Sequence, residues 1–278
     1  PHLRVAIKFI RPDRVNSNEL DRFKLEREIL AKLNHECIAK VFDAGVDDGS
    51  PYIVMELVEG VHLNKYCDTE GLTIPARLEL LARVCDAIHY AHNKTILHLD
   101  LSPDNILVVA KPGAKPIPKI VDFGIARVTD PDAGMPRGAR RDDSWIGKPE
   151  YMAPEQFDHN PDLDARADVY ALGVILFQLV TGTVPIDRDT LLRTLREDGE
   201  HASTETSVDP AARFSQLEEG QKTLAATNRG DLSPRVLEST LRGRLRCLTH
   251  KALEHTRRKR FASAEALATD IRNYVEKR

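Results

Sequence analysis

Features that mark disulfide-rich, metal-binding or membrane-spanning proteins are scarce in this sequence. Its four cysteines lie far apart and lack the paired spacing of a metal site. The longest apolar run, residues 169–180, is interrupted by Gln178 and is too short to span a bilayer. No signal peptide is visible. We therefore expect reduced thiols, no membrane contact within this segment and a cytoplasmic location, while an anchor outside this chain is left open.

An excess of charge of one sign is also missing. Forty Lys and Arg residues stand against 43 Asp and Glu residues, which leaves a formal net charge of −3. This balance gives no reason to expect nucleic acid or an anionic membrane as a partner. Hydrophobic and charged fractions of 41% and 30% are those of an ordinary globular protein. At 278 residues the chain can bury a substantial core in one large domain or two lobes.

One loop carries the clearest chemical signal. The run HLDLSPDNIL at residues 98–107 follows an amphipathic stretch and leads into an apolar strand. Asp100 and Asn105 lie five residues apart on this loop, an arrangement that suits phosphoryl transfer. The acid can accept the proton of an attacking hydroxyl, while the amide oxygen can bind a magnesium ion on the phosphates.

The loop resembles the catalytic loop of protein kinases, and three further kinase motifs occur in the order found in that family. They are VAIK at residues 5–8, DFG at residues 122–124 and APE at residues 153–155. Together the four motifs span much of the chain, and they are most similar to those of bacterial serine/threonine protein kinases.

The resemblance implies an α+β, two-lobed protein kinase domain over residues 1–278. A partial, β-rich N-lobe with one helix is expected over residues 1–57, and a hinge at residues 56–60. The mainly helical C-lobe would follow over residues 61–278. The stretch at about 185–241 is longer and more polar than in a minimal kinase, and we interpret it as an enlarged helical insert.

The resemblance also gives the candidate site residues their roles. Lys8, paired with Glu26 on the following helix, would place the α- and β-phosphates of ATP. Asn105 and Asp122 would hold Mg²⁺, and Asp100 would orient the acceptor hydroxyl. The remaining residues of the expected ATP pocket are Ala6, Met55, Glu56, Val58 and Leu107.

Three contacts with a structural purpose are expected from the same resemblance. His98 should pack against the motif residue Phe123, and Arg260 should pair with Glu155 of the APE motif. Asp168 should anchor the backbone of the catalytic loop, because a buried carboxylate is costly unless it has partners.

The chain departs from the kinase pattern near the catalytic acid. Leu99 stands where the pattern has Arg, Ser102 where serine/threonine kinases usually have Lys, and Lys148 where they have Thr. The changes at Ser102 and Lys148 allow two interpretations. Either they are unrelated losses, with Lys148 in solvent, or the lysine has exchanged places between the two positions, which we call a swap. In a swap the Lys148 ammonium would reach Asp100 and Ser102 from the opposite wall, so we include Lys148 and Ser102 among the candidate catalytic residues.

A second departure concerns the N-terminus. Only residues 1–4 precede the VAIK motif, so the Gly-rich loop of protein kinases is missing from this chain. The chain also begins at Pro1 without Met, so we expect either that the sequence is truncated or that the small lobe is incomplete. We expect this segment alone to bind ATP poorly.

These observations predict an ATP-dependent serine/threonine kinase whose partners are a nucleotide and a protein substrate. Ser/Thr targets are favoured because Pro103 keeps the proline of the Ser/Thr pattern. A pseudokinase that acts as a nucleotide-binding or scaffold module is the main alternative, since it would explain Leu99 and Ser102 as decay. A small-molecule kinase shares the Asp-plus-Asn loop but would not be expected to carry the APE segment.

Overall fold

The computed structural model of the protein describes residues 4–9, 33–47, 50–123, 148–157, 162–197 and 209–277. The predicted helix that carries Glu26 lies outside the described residues, as does Gly124 of the DFG motif.

A three-stranded antiparallel sheet forms the small lobe. Its strands are β1 (Val5–Phe9), β2 (Val41–Asp47) and β3 (Ser50–Glu56), in the order β1-β3-β2. Side chains of β3 alternate between buried and partly exposed, as expected where one face of a sheet is covered. Because Ala6 pairs with Met55 and Lys8 with Ile53, these four side chains lie on the same face of the sheet.

A second small sheet lies where the large lobe begins. It consists of β4 (Val61–His62), β5 (Ile106–Val109) and β6 (Ile117–Ile120), which pair antiparallel in that order. Strand β5 directly follows the predicted catalytic loop, and β6 directly precedes the DFG motif. The pairing of β5 with β6 therefore brings the two motifs together.

Two long helices form the centre of the large lobe. After the short helix α1 (Leu63–Thr69), α2 (Ile74–His92) begins where the Thr73 hydroxyl accepts a hydrogen bond from the backbone of Ala76. After α3 (Pro154–Phe157), helix α4 (Ala165–Thr181) is capped by Asp164, and most of its side chains are buried. The amphipathic stripe of α2 and the apolar α4 share one core.

Six further helices complete the described part of the large lobe: α5 (Arg188–Glu197), α6 (Pro210–Ser215), α7 (Glu219–Thr227), α8 (Pro234–Leu241), α9 (Arg244–Ala252) and α10 (Ala264–Glu276). Helices α9 and α10 pack on α4, and α10 also packs along α2. Helices α5–α8 fall within the stretch that we interpret as an insert, although the domain boundaries stay a prediction. No helix among the described residues is both long and apolar enough to cross a membrane.

Candidate active site

The catalytic loop is held by a carboxylate from the first turn of α4. Asp168 accepts hydrogen bonds from the backbone N–H groups of His98 and Leu99, each at 2.8 Å, and its Oδ2 lies 2.8 Å from His92 Nε2. The side chain is almost fully buried. Burial opposes ionisation, but His92 and the backbone donors outweigh it and hold the pKa of Asp168 below its ordinary value. The predicted anchoring role of Asp168 is confirmed.

Leu99 has an unusual backbone conformation and is held from both sides. Its φ of 61° lies in the left-handed region. Asp168 accepts from its N–H group, and the side-chain amide of Gln156 donates to its carbonyl oxygen at 3.0 Å. The other end of that amide accepts from the backbone of Ala153 at 2.9 Å. Sequence reasoning missed Gln156, which no local pattern distinguishes from a surface glutamine next to the APE motif.

Asp100 and Asn105 meet across the catalytic loop. Asn105 Nδ2 donates to the Asp100 backbone oxygen at 2.7 Å and lies 3.5 Å from the carboxylate. Burial raises the pKa of Asp100, the charge of Asp122 acts in the same direction, and His98, Asn105 and Lys8 oppose them. A carboxylate with a raised pKa is a better proton acceptor than an ordinary aspartate.

Asp122 lies beside this pair and joins it to the small lobe. The N–H of Val121 donates to the Asn105 backbone oxygen at 2.9 Å, so the residue after Val121 is brought next to the loop. Asp122 Oδ2 forms an ion pair with Lys8 Nζ at 2.9 Å. The structure thus brings together Lys8, Asp100, Asn105 and Asp122, whereas Glu26 lies outside the described residues.

The two motifs also share an aromatic contact. The rings of His98 and Phe123 lie with centroids 4.8 Å apart, and His98 Nε2 is 3.2 Å from the carbonyl oxygen of Val121. His98 is almost fully buried. The predicted packing of His98 on Phe123 is confirmed, and a histidine in this position supports the loop instead of facing a substrate.

The residues of the expected ATP pocket lie on elements of both lobes. Ala6 pairs with Met55 in the small sheet, and Leu107 lies in β5. The Glu56 carboxylate accepts from Lys119 Nζ at 2.8 Å, and the Glu56 N–H donates to the carbonyl of Lys40 at 2.8 Å.

The APE motif is fixed to the base of the large lobe by a buried ion pair. Arg260 Nη1 and Nη2 bind the two carboxylate oxygens of Glu155 at 2.6 and 2.7 Å, and both side chains are buried. Arg260 also donates to the carbonyl oxygens of Arg166, Glu254 and His255. The predicted Arg260–Glu155 pair is confirmed, and its bidentate geometry is the favourable one for a buried pair.

Lys148 does not make the predicted contact. Its ammonium pairs with Asp104 on the turn Pro103–Asn105, not with Asp100. Asp104 is exposed, so an ion pair there costs less desolvation than one at the partly buried Asp100, which Asn105 already contacts. Ser102 is buried just before the turn. Lys148 therefore contacts the catalytic loop, but at a residue four positions beyond the predicted partner Asp100.

Comparison with known proteins identifies one family. The protein kinase domain family matches residues 2–270. Serine/threonine-protein kinase Pkn1 of Myxococcus xanthus is 40% identical over 193 residues, which cover 69% of this chain and 27% of Pkn1. Serine/threonine-protein kinase PknB of Mycobacterium tuberculosis is 35% identical over 227 residues, which cover 78% of this chain and 34% of PknB. The matched part of the chain thus spans only 27% and 34% of the length of these two curated relatives.

Solved structures agree with that match. The kinase domain of Mycobacterium tuberculosis PknI superposes with a TM-score of 0.65 at 23% identity, covering 97% of this chain and 85% of that chain. Rad53 in complex with AMP-PNP superposes with a TM-score of 0.60 at 24% identity, covering 95% and 56%. The predicted two-lobed α+β fold is confirmed.

Proposed function

This chain belongs to the protein kinase family, and from that premise we propose that it is the catalytic domain of an ATP-dependent serine/threonine kinase. The proposal rests on one observation above all: Lys8, Asp100, Asn105 and Asp122 meet at the junction of the two lobes. One cation, two carboxylates and an amide in that arrangement suit transfer of the ATP γ-phosphoryl group to a protein hydroxyl.

Each of these side chains has a proposed task. The Asp100 carboxylate accepts the proton of the attacking Ser or Thr hydroxyl, and its raised pKa favours that role. Asn105 holds Asp100 through its amide nitrogen, so its side-chain oxygen is the atom available to a metal. The Lys8 ammonium, which here balances Asp122, would neutralise phosphate oxygens.

The oxygen donors fit the proposed metal. Asn105 and Asp122 offer an amide and a carboxylate oxygen, the hard ligands that Mg²⁺ prefers. When bound, ATP and Mg²⁺ supply the transferable group and neutralise part of its charge. Asp122 would have to exchange its ion pair with Lys8 for the metal, and both side chains are exposed enough for this exchange to cost little.

We propose that adenine binds between Ala6, Met55 and Leu107, against the hinge. The Glu56 N–H is already bonded to Lys40, so a hinge donor for adenine must come from a later residue, for which we propose Val58. Glu26 remains the proposed partner of Lys8. We also propose a protein substrate and a cytoplasmic location, and the formal charge of −3 supports no role for nucleic acid.

Substitution of the charged residues in the intact protein tests the proposal. Asp100→Asn should lower kcat roughly 10²–10⁴-fold, because the proton acceptor is lost. Lys8→Met and Asp122→Asn should also reduce transfer severely. Turnover is measured with Mg-ATP and a Ser/Thr-containing protein, and ATP binding by calorimetry. Asp100→Asn should still bind ATP; near-parental turnover of this variant would contradict the proposal, and a parent that binds ATP without transfer would indicate a scaffold.

The stability of Asp100→Asn shows whether its loss of turnover is due to misfolding. Because the pKa of Asp100 is raised in the folded protein, its contribution to stability is present at low pH and is lost as pH rises through that raised value. Asp100→Asn should therefore be at least as stable as the parent at neutral pH, despite its loss of turnover. The acidic limb of kcat/KM in the parent should lie above the ordinary pKa of an aspartate.

A further inference from the structure

The residue before the proposed proton acceptor has a conformation that an L-amino acid does not favour. Leu99 lies in the left-handed region at φ 61°, and leucine has no polar side chain to stabilise it there. Such a conformation costs of order 1–3 kcal/mol and persists only where the surroundings determine it. The side chain of Asp100 leaves the backbone directly after this residue, so the orientation of the Leu99–Asp100 peptide sets where the carboxylate lies.

Two buried side chains hold Leu99, one at each of its two peptide groups. Asp168 binds the N–H of Leu99 at 2.8 Å, and Gln156 Nε2 donates to its carbonyl oxygen at 3.0 Å. Gln156 has only 2% of its surface exposed, and its Oε1 is fixed by the N–H of Ala153 at 2.9 Å. The amide can therefore present only its nitrogen to Leu99, as a donor oriented in advance.

We propose that Gln156 is a positioning residue for phosphoryl transfer: by fixing the Leu99 carbonyl it keeps the Leu99–Asp100 peptide, and hence the Asp100 carboxylate, in its working orientation. This inference rests on the proposed function. Without the donor, the Leu99 carbonyl is left unpaired in a buried site, and a rotation of that peptide that finds the carbonyl another partner turns Asp100 away. Gln156 thereby couples the APE segment to the proton acceptor without touching a substrate.

Gln156→Glu is the sharpest variant, because it keeps the shape and the acceptor for Ala153 but, when ionised, loses the donor to Leu99. We expect kcat to fall about 10–100-fold, as for loss of one buried hydrogen bond, while the KM for ATP stays close to the parent. The matched control is Thr249→Val in α9, which removes a buried hydroxyl bonded to the carbonyls of Leu245 and Arg246. This control should lower Tm and leave kcat unchanged.

Rescue separates positioning from general stability. Asn adopts the left-handed region far more readily than Leu. Leu99→Asn should therefore raise kcat more in the Gln156→Glu background than in the parent. Hydrogen exchange of peptides spanning residues 98–101 should be faster in Gln156→Glu and slowed again in the double variant.

Each other outcome overturns a defined claim. A kcat for Gln156→Glu within twofold of the parent, a loss that merely follows Tm as in Thr249→Val, or no rescue by Leu99→Asn would overturn the positioning role. A parent that binds Mg-ATP but transfers nothing would overturn the proposed function instead. In that case the exchange rates of residues 98–101 still decide whether Gln156 fixes the loop.

Discussion

Among single residues, Lys148 differs most from what the kinase pattern leads one to expect. Its ammonium pairs with Asp104, whose backbone oxygen also lies 2.9 Å from Nδ1 of His62 at the start of the large lobe. Asp104 belongs to the same turn as the proposed metal ligand Asn105. Lys148 thus joins the stretch before the APE motif to the catalytic loop. We retain the swap as a proposal, in which Lys148 would leave Asp104 and reach the Asp100 carboxylate and Ser102 in the nucleotide complex.

Two variants distinguish a catalytic role of Lys148 from a purely structural role through its ion pair with Asp104. Lys148→Ala should lower kcat about 100-fold, as for other preorganised donors. Asp104→Asn removes only the exposed ion pair, so a loss of a few-fold at most is expected. The double exchange Ser102→Lys with Lys148→Thr should recover activity that each change loses alone. Equally small losses of kcat in Lys148→Ala and Asp104→Asn would show that Lys148 only stabilises the loop through its ion pair, and they would contradict the swap.

At the scale of elements, α4 supports the site from both of its ends. Its first turn supplies Asp168 to the catalytic loop, and in its last turn Gln178 Oε1 accepts from the hydroxyl of Tyr151 at 2.6 Å. The helix ends at Thr181 and is capped by Gly182, whose φ is 90° and whose N–H donates to the carbonyl of Gln178. Arg229 donates to the same carbonyl at 2.9 Å, which connects the segment after α7 to α4.

The C-terminal cap of α4 yields a prediction about stability. Gly182→Ala should lower the free energy of unfolding by about 1–3 kcal/mol, because φ is positive and the new Cβ would lie 2.9 Å from Cβ of Ala225. Gly220→Ala in α7 is the matched control: nothing lies within 4 Å of its new Cβ, and helix propensity favours Ala by up to about 1 kcal/mol. Urea unfolding measures both. A neutral Gly182→Ala would show that the cap does not limit stability.

The elements and contacts that could be predicted from the sequence are those that local residue patterns or the family resemblance indicate. The apolar helix around Asp168, the strands beside the motifs and the Arg260–Glu155 pair are all visible in residue spacing or in the resemblance. The contact of Gln156 was not predicted, and the predicted contact of Lys148 with Asp100 was wrong, because both contacts join segments distant in sequence. Which carbonyl a buried amide meets, or which of two nearby carboxylates a lysine prefers, depends on relative burial, and residue spacing carries no such information.

On the scale of the whole molecule, backbone hydrogen bonds and an ion pair connect the two lobes. Ile120 of β6 exchanges backbone hydrogen bonds with Cys37 and Ala39 on the segment leading into the small sheet. The Lys8–Asp122 ion pair spans the same junction with side chains 43% and 30% exposed, so it contributes little stability by itself. A bound nucleotide would replace a weak link between the lobes by a stronger one.

Thermal unfolding of the intact protein tests this link. Mg-ATP at 100 times its Kd should stabilise the parent by about 2.7 kcal/mol, which corresponds to a Tm increase of roughly 5–10 °C for a domain of this size. Lys8→Met should lose most of the increase, since it removes the small-lobe charge at the junction. Asp122→Asn should lose the part of the Tm increase that depends on Mg²⁺ and keep any increase that ATP causes without metal.

Lys115→Met is the control, because Lys115 is an exposed lysine on the turn between β5 and β6, and this variant should respond like the parent. A shift in Lys8→Met as large as in Lys115→Met would mean that nucleotide does not use Lys8 to join the lobes.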